Sequence, residues 1–427
     1  MIVVGFVIGL GIFRTATDAA VASINSQVFF TAWILGGVFA LCGALTYAEI
    51  GSRFPITGGY YKIFSYAYHP SVAFALNCVI LFSNAASLSG VAIIGSEYLL
   101  TVIYGSNYPS YYNSILGIAA ILTFYGLNMF GLILSSRTLN VLMMVKLGML
   151  FIIILAFFIE PSVVQNVNQV SAPTNSGFLV SLAAALVAVS FTYGGYQQSI
   201  NFGEEVHQPE RTVPRGIIYG ILIVIFIYVL VNLSYHQIIG FEELKNAKGV
   251  ASIIAGKLFG EMGSKIFSAL LFIAVLAYVN VLMLSNPRVM YAMADDGVLP
   301  DVFKKKFGKN QVLIINLSVF ALLSIITLIF ASKFEKILSF VMFLDSLGMV
   351  FSAATLFYMR HKKLGEEKAS IYRIKFYPWV PILFISAYSL VLFSIIKNTP
   401  HLAGIGTLVF FGFLGIYFLV KRIYSKR

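Results

Sequence analysis

Long apolar segments separated by short polar ones dominate the chain and predict helices that cross a membrane. A helix needs about 20 apolar residues to span a bilayer, and glycine, proline and charge clusters mark the ends of such runs. The pattern predicts twelve helices, at residues 1–22, 29–51, 70–103, 112–134, 138–160, 177–203, 214–237, 264–294, 311–331, 335–359, 376–397 and 402–422. Residues 238–263 are amphipathic and predict a short surface helix between the seventh and eighth spans.

Composition agrees with an all-α polytopic membrane protein. Hydrophobic residues make up 59% of the 427 residues and charged residues 11%, whereas soluble domains are about 45–50% apolar and about 25% charged. This excludes a soluble enzyme and a disordered protein. Cys42 and Cys78 lie inside apolar runs and are read as small buried hydrophobic residues, with no disulfide framework.

The net charge of +12 reflects where the loops lie. One alternating set of loops, which includes the C-terminal tail, carries 19 of the 29 lysines and arginines, and the opposite set carries 7. Because cytoplasmic loops are enriched in these residues, we expect the first set of loops and the C-terminus to lie in the cytoplasm. The membrane is expected to be the plasma membrane. The expected environment is therefore a lipid bilayer, and no nucleic acid partner is expected.

Two of the predicted helices are interrupted by glycine. The first contains Gly9-Leu10-Gly11 and the sixth contains Tyr193-Gly194-Gly195. Each interruption begins a block of five spans, and an odd number of spans inverts the second block relative to the first. Matching breaks in two inverted halves indicate a binding site near the bilayer midplane, where irregular backbone is tolerated only if it is buried or lines a cavity. The alternative is helix packing through small residues.

Four motifs in order resemble the amino acid–polyamine–organocation superfamily of permeases. They are GLGIF in the first span, the stretch from Tyr47 to Tyr60, the segment FTYGGYQQSINFGEEVHQPERTVPR at 191–215, and SNPRVMYAMADDGVLP at 285–300. The third motif is most similar to L-type amino acid transporters. Leu10 departs from the resemblance, because the superfamily usually has serine or threonine there.

The resemblance implies a LeuT-type fold, with a 5+5 inverted repeat, broken helices 1 and 6, and two further C-terminal helices. The expected units are residues 1–160, 177–359 and 376–422. The implied function is secondary active transport of an amino acid across the plasma membrane by alternating access, sodium-independent, with proton coupling or exchange. Transport of cationic amino acids or polyamines, and amino acid sensing, remain alternatives.

A broken helix exposes backbone groups that suit an amino acid. Half-helix N-termini favour an anion and C-termini a cation, so we expect amides near Leu10, Gly11 and Ile12 to hold the carboxylate. Carbonyls near Ile8, Phe191 and Tyr193 are expected to hold the ammonium group. Glycine lets the substrate approach the backbone closely, so Gly9, Gly194 and Gly195 join the predicted site. Tyr196 and Gln197 are candidates for the side-chain pocket, with helix packing as the alternative.

Two charged residues fall deep within predicted spans. Lys146 lies about 12 Å into the fifth span and Asp345 about 15 Å into the tenth, by helical rise. Charges at such depth indicate function. The resemblance implies that Lys146 takes the place of a coupling sodium ion, with snorkelling to the membrane surface as the alternative. For Asp345 three roles stay open: pairing with a cationic substrate, pairing with a protein cation such as Lys146, or protonation.

Gating residues are predicted from the resemblance and from helical spacing. Phe191 resembles the superfamily's aromatic gate, although an ordinary packed phenylalanine is the alternative. Arg14 and Asp18 are four residues apart on one helix face and predict a gating or structural ion pair. Glu49 and Arg53 have the same spacing at a predicted cytoplasmic helix end and predict a gate or anchor there.

Enzymatic activity is the competing functional class. The five histidines are scattered, and the sequence contains neither an HExxH motif nor a P-loop, so no catalytic site, metal site or cofactor is predicted. Some L-type relatives use a heavy-chain partner, but the sequence does not indicate one.

Overall fold

The computed structural model describes residues 2–9, 11–105, 107–159, 175–203, 206–247, 249–330, 334–366 and 371–424. Helices make up almost all of this part of the chain, and its β-pairing consists of two isolated bridges. Within the described residues, 9 helices are long and apolar enough to cross a membrane. The prediction of an all-α polytopic protein is therefore confirmed at this level.

The helices follow the predicted order. The first seven are α1 (Ile2–Val7), α2 (Gly11–Ala22), α3 (Ser26–Arg53), α4 (Gly59–Ala67), α5 (Pro70–Tyr104), α6 (Tyr111–Met129) and α7 (Leu132–Ile159). The remaining eight are α8 (Asn175–Tyr193), α9 (Pro209–Ile238), α10 (Phe241–Asn246), α11 (Val250–Asp295), α12 (Ile314–Phe330), α13 (Phe334–His361), α14 (Trp379–Asn398) and α15 (Pro400–Tyr424). Short 3₁₀ helices cover Tyr196–Asn201 and Asp301–Lys304.

Both predicted interruptions are present. Helix α1 ends at Val7 and α2 begins at Gly11, so the first span consists of two half-helices. Helix α8 ends at Tyr193, and the chain continues through two glycines into the 3₁₀ helix. Gly195 has φ 108°, and a Cβ there would lie 2.6 Å from the carbonyl oxygen of Phe6. Only glycine tolerates both this positive φ and this close contact with the backbone. The approach of the two breaks therefore requires glycine at position 195.

Three stretches of the chain differ from the predicted boundaries. Residues 134–138 were predicted as a loop, but α7 begins at Leu132 and the chain reverses at Gly131, where φ is 101°. One glycine with a left-handed conformation is enough for that turn, and apolar periodicity does not reveal it. The amphipathic segment 238–263 forms α10 and the start of α11, which breaks at Gly260 (φ 69°, ψ −165°). Helix α4 also forms within a predicted loop.

The long helix α5 lies at the centre of the bundle and packs against α6, α11, α12, α13 and α15. Helix α2 packs against α8, α8 packs against the continuous helix α3, and α1 packs against the continuous helix α9, so both breaks are supported by continuous neighbours. Large apolar side chains such as Phe330 and Leu408 remain exposed on the outside. An apolar exterior of this kind suits lipid rather than water.

Candidate functional site

The two helix breaks are joined by one tyrosine. The hydroxyl oxygen of Tyr228, on α9, lies 2.9 Å from the carbonyl oxygen of Val7 and 3.3 Å from that of Thr192. These carbonyls belong to the C-terminal ends of α1 and α8, where helical carbonyls lack partners within their own helix. A neighbouring helix therefore satisfies the ends of both breaks at a single buried point.

The breaks line one cavity, which also contains side chains from α5, α11 and α13. Seven of the residues predicted to bind substrate are in its wall: Gly9, Gly11, Phe191, Gly194, Gly195, Gln197 and Asp345. Gln197 bends back so that its Oε1 accepts a hydrogen bond of 3.0 Å from the backbone N–H of Gly195. The structure thus brings together most of the predicted binding residues.

Four predicted residues are not in the wall of this cavity, and a fifth lies outside the described residues. The carbonyl of Ile8 accepts a hydrogen bond from Lys146, and the side chain of Ile12 is fully buried. The Tyr193 hydroxyl donates to the carbonyl of Trp33. Tyr196 packs its ring on Tyr47, at 6.0 Å between centroids, so helix packing explains it better than a substrate pocket. Leu10 is the residue that is not described.

The sequence interpretation missed several polar residues of the cavity wall. Asn84 donates to Asn286 Oδ1 at 2.7 Å and accepts from Gln198 Nε2 at 3.3 Å. Tyr278 lies 2.9 Å from the Ser87 hydroxyl. A signal existed for part of this set, because Ser83, Asn84 and Ser87 form a polar cluster inside an apolar span, and such residues usually face the interior.

Lys146 reaches the first helix break from α7. Its side chain is fully buried, and Nζ donates a hydrogen bond of 2.5 Å to the carbonyl oxygen of Ile8. Snorkelling to a membrane surface, the alternative from the sequence, does not describe this position. The ammonium group instead supplies positive charge next to the unwound segment, at a carbonyl that follows the end of α1.

Asp345 reaches the same cavity from α13. Its side chain is only partly buried, and Oδ1 accepts a hydrogen bond of 2.7 Å from the Ser83 hydroxyl. The ion pairs among the described residues do not include one between Asp345 and Lys146. The pairing with Lys146 that the sequence left open is therefore not formed.

Arg14 and Asp18 line a second cavity, together with Thr17 and Lys245. Both side chains of the predicted pair therefore belong to one opening beside α2 and α8, and their pairing stays a prediction.

The Glu49 carboxylate is the centre of a buried ionic cluster at the C-terminal end of α3. It accepts hydrogen bonds from Arg53 Nη2 at 2.8 Å, from Arg360 Nη2 at 2.5 Å and from the backbone N–H of Ile374 at 2.9 Å. Arg53 also donates to the carbonyl of Leu364 at 2.7 Å. The pair predicted from spacing therefore forms, and it ties α3 to the end of α13 and the segment after it.

Comparison with known proteins identifies the family of the chain. A profile described as "Amino acid permease" matches residues 1–421. The serine/threonine exchanger SteT of Bacillus subtilis is 28% identical over 99% of this chain and 95% of its own length. The large neutral amino acids transporter small subunit 2 of Rattus norvegicus is 25% identical, over 98% of this chain and 78% of that protein. The human cystine/glutamate transporter is also 25% identical, over 98% of this chain and 83% of that protein.

These relatives are transporters rather than enzymes, and they match the chain almost from end to end. The resemblance inferred from the four motifs is therefore confirmed. The chain belongs to the amino acid permease family, within the amino acid–polyamine–organocation superfamily.

Proposed function

We propose that this protein is a secondary active permease that moves amino acids across the plasma membrane by alternating access around its two helix breaks. The observation that carries the proposal is that both breaks line the same cavity. Discontinuous helices that meet at one cavity provide backbone donors and acceptors within the membrane, where few other polar groups exist. The expected architecture has twelve spans, with inverted units at 1–160 and 177–359 followed by 376–422.

The proposed binding mode follows the polarity of the half-helices. The amide at Gly11 begins α2 and suits the substrate carboxylate, whereas the carbonyls near Phe191 and Tyr193 end α8 and suit the ammonium group. The Ile8 carbonyl already accepts Lys146, so we assign it to the lysine. Phe191 is then a gate that covers the substrate from the outer side. The Glu49 cluster would close the cytoplasmic side, where the C-terminus is also expected.

We further propose that transport does not require sodium. The hydrogen bond of 2.5 Å between Lys146 and Ile8 supports this, because it provides a fixed or protonatable positive charge beside the first break. Coupling is then to protons or to a second amino acid. The name of the relative SteT, an exchanger, favours testing exchange first.

Proteoliposomes containing the purified protein test the proposal. Labelled amino acids should accumulate equally well in sodium and in choline buffers. Faster uptake into vesicles preloaded with amino acids would identify exchange, and uptake driven by an inward proton gradient would identify proton coupling. Binding without movement in all of these conditions would identify a sensor instead. Uptake that strictly needs sodium would overturn the role given to Lys146.

A further inference from the structure

Asp345 places a carboxylate in the cavity wall with little to balance its charge. The recorded hydrogen bond to this side chain comes from Ser83, a fully buried neutral hydroxyl, at 2.7 Å. One neutral donor compensates only part of the cost of taking an ionised carboxylate out of water. The cavity therefore favours an occupant that brings positive charge.

The cations near the helix breaks are already engaged or face another space. Lys146 donates to the carbonyl of Ile8, and Arg14 lines the other cavity. Among the residues that the structure describes, no salt bridge includes Asp345. A partner of opposite charge would thus have to enter with the substrate.

The rest of the wall includes apolar and aromatic side chains close to this carboxylate in the same cavity. Met342, Met349, Tyr278 and Tyr388 line the same cavity as Asp345. Polymethylene stems pack on such apolar surface while their charged ends reach polar groups, and tyrosine faces attract cations. The wall therefore combines a surface for the stem with a carboxylate for its end.

We propose that Asp345 makes this permease selective for amino acids with cationic side chains, such as arginine, lysine and ornithine. The inference rests on the proposed function: the helix breaks hold the α-carboxylate and α-ammonium groups, and the carboxylate of Asp345 pairs with the side-chain cation. If Asp345 instead bound the α-ammonium group, every amino acid would depend on it equally. A protonated Asp345 would give no preference for charge.

Arginine and citrulline separate these possibilities, because they have nearly the same shape and differ in side-chain charge. In proteoliposomes, we expect the wild-type protein to prefer arginine by about tenfold or more. Asp345→Asn should lower that preference by about tenfold or more and affect leucine uptake much less. Asp345→Glu should retain the preference. Asp301→Asn, an exposed aspartate paired with Lys304, is the matched control and should behave as wild type.

Equal transport of arginine and citrulline by the wild type would overturn the inference, as would an equal loss of all substrates in Asp345→Asn. If Asp345→Asn does not fold, the comparison of arginine with citrulline transport in the wild-type protein still tests the inference. Efficient transport of neutral amino acids alone would leave the proposed function intact and remove the cationic preference. If no amino acid accumulates, the proposed function fails. In that case thermal stabilisation of the purified protein by arginine, but not by citrulline, tests the selectivity of Asp345 separately.

Discussion

The Nζ atom of Lys146 donates a hydrogen bond of 2.5 Å to the carbonyl oxygen of Ile8. Ile8 follows the last residue of α1, so its carbonyl lies where no further turn of that helix offers an N–H donor. A charged donor on α7 thus holds the unwound backbone from outside the first span. Helix α7, which is the fifth predicted span, would act on the substrate site through this contact without touching the substrate.

Lys146→Met tests this contact, because methionine keeps an unbranched stem and removes the charge. Hydrogen bonds to charged groups contribute about 1.5–3 kcal/mol, so we expect uptake to fall by about tenfold or more. Lys257→Met is the matched control, because Lys257 also donates to a backbone carbonyl, that of Ile238, at 2.6 Å, away from the breaks. The measurement is proteoliposome uptake by both variants at equal protein content, and Lys257→Met should behave as wild type.

The pH profile of the residual uptake separates two roles of Lys146. A lysine that gains and loses a proton during the cycle gives the wild type a pH dependence that Lys146→Met loses. A lysine that stays charged leaves the profile unchanged. Normal uptake by Lys146→Met would rule out both roles.

Gly9 offers a test of backbone approach that leaves the fold intact. A Cβ at Gly9 would have its nearest neighbour at 3.5 Å, on the ring of Tyr278, which is ordinary contact. Gly9→Ala should therefore fold normally, yet its methyl group would occupy the cavity that both breaks line. We expect weaker substrate binding, seen as a KM raised by about tenfold, worth about 1.4 kcal/mol. Gly126→Ala, where a Cβ meets nothing within 4 Å, is the control and should leave KM unchanged.

Gly11 is a less suitable position for this experiment. A Cβ there would lie 3.0 Å from the Cα of Thr192, so Gly11→Val should disturb the packing of α2 on α8 as well as substrate binding. A normal KM for Gly9→Ala would show that the substrate does not approach the first break closely.

The sequence predicted the breaks because glycine pairs inside long apolar runs have few structural uses. It also predicted the pairing of Glu49 with Arg53, since four residues along a helix bring side chains together. It could not predict that Arg360 joins them, because Arg360 is 311 residues from Glu49 in the chain. Periodicity contains no information on contacts over such a separation.

The direction of side chains in irregular segments was the second property that the sequence could not predict. Tyr196 and Gln197 are neighbours after the second break, and nothing in the sequence pattern separates their roles. The 3₁₀ geometry turns Gln197 towards the cavity and Tyr196 towards Tyr47. In a helix of regular period the face of each residue can be calculated, but an irregular segment has no fixed period to apply.

Tyr228→Phe tests whether the two breaks act together. The variant removes a hydroxyl that reaches the carbonyls of both Val7 and Thr192. The Val7 carbonyl keeps the backbone N–H of Gly9 as a donor, and a typical hydrogen bond contributes about 0.5–1.5 kcal/mol net. We expect slower transport at saturating substrate, because the two half-helix ends lose their common partner. Tyr125→Phe removes a hydroxyl 2.8 Å from that of Ser318, far from the breaks in sequence and outside the cavity wall. It should lose some stability and keep the transport rate, and equal rates in both variants would contradict a special role for Tyr228.

Glu49→Gln tests the ionic cluster at the end of α3. Glu49 is fully buried and Arg53 is 2% exposed, so removal of the carboxylate charge leaves the buried guanidinium of Arg53 with the partly exposed Glu366, at 3.3 Å, as its counter-charge. Breaking one partner of a buried ion pair costs about 3–5 kcal/mol, and the loss here includes the link from α3 to Arg360 and to the backbone of Ile374.

The measurement is the thermal unfolding midpoint of the purified protein in detergent, followed by uptake in proteoliposomes. We expect a clearly lower midpoint for Glu49→Gln, together with reduced uptake, because the cluster holds α3 against the segment that follows α13. Glu242→Gln is the control, because Glu242 pairs with Lys245 at the surface, and exposed pairs contribute little. If the two variants unfolded at the same temperature, the cluster would be dispensable for holding this end of the bundle closed, and its burial would need another explanation.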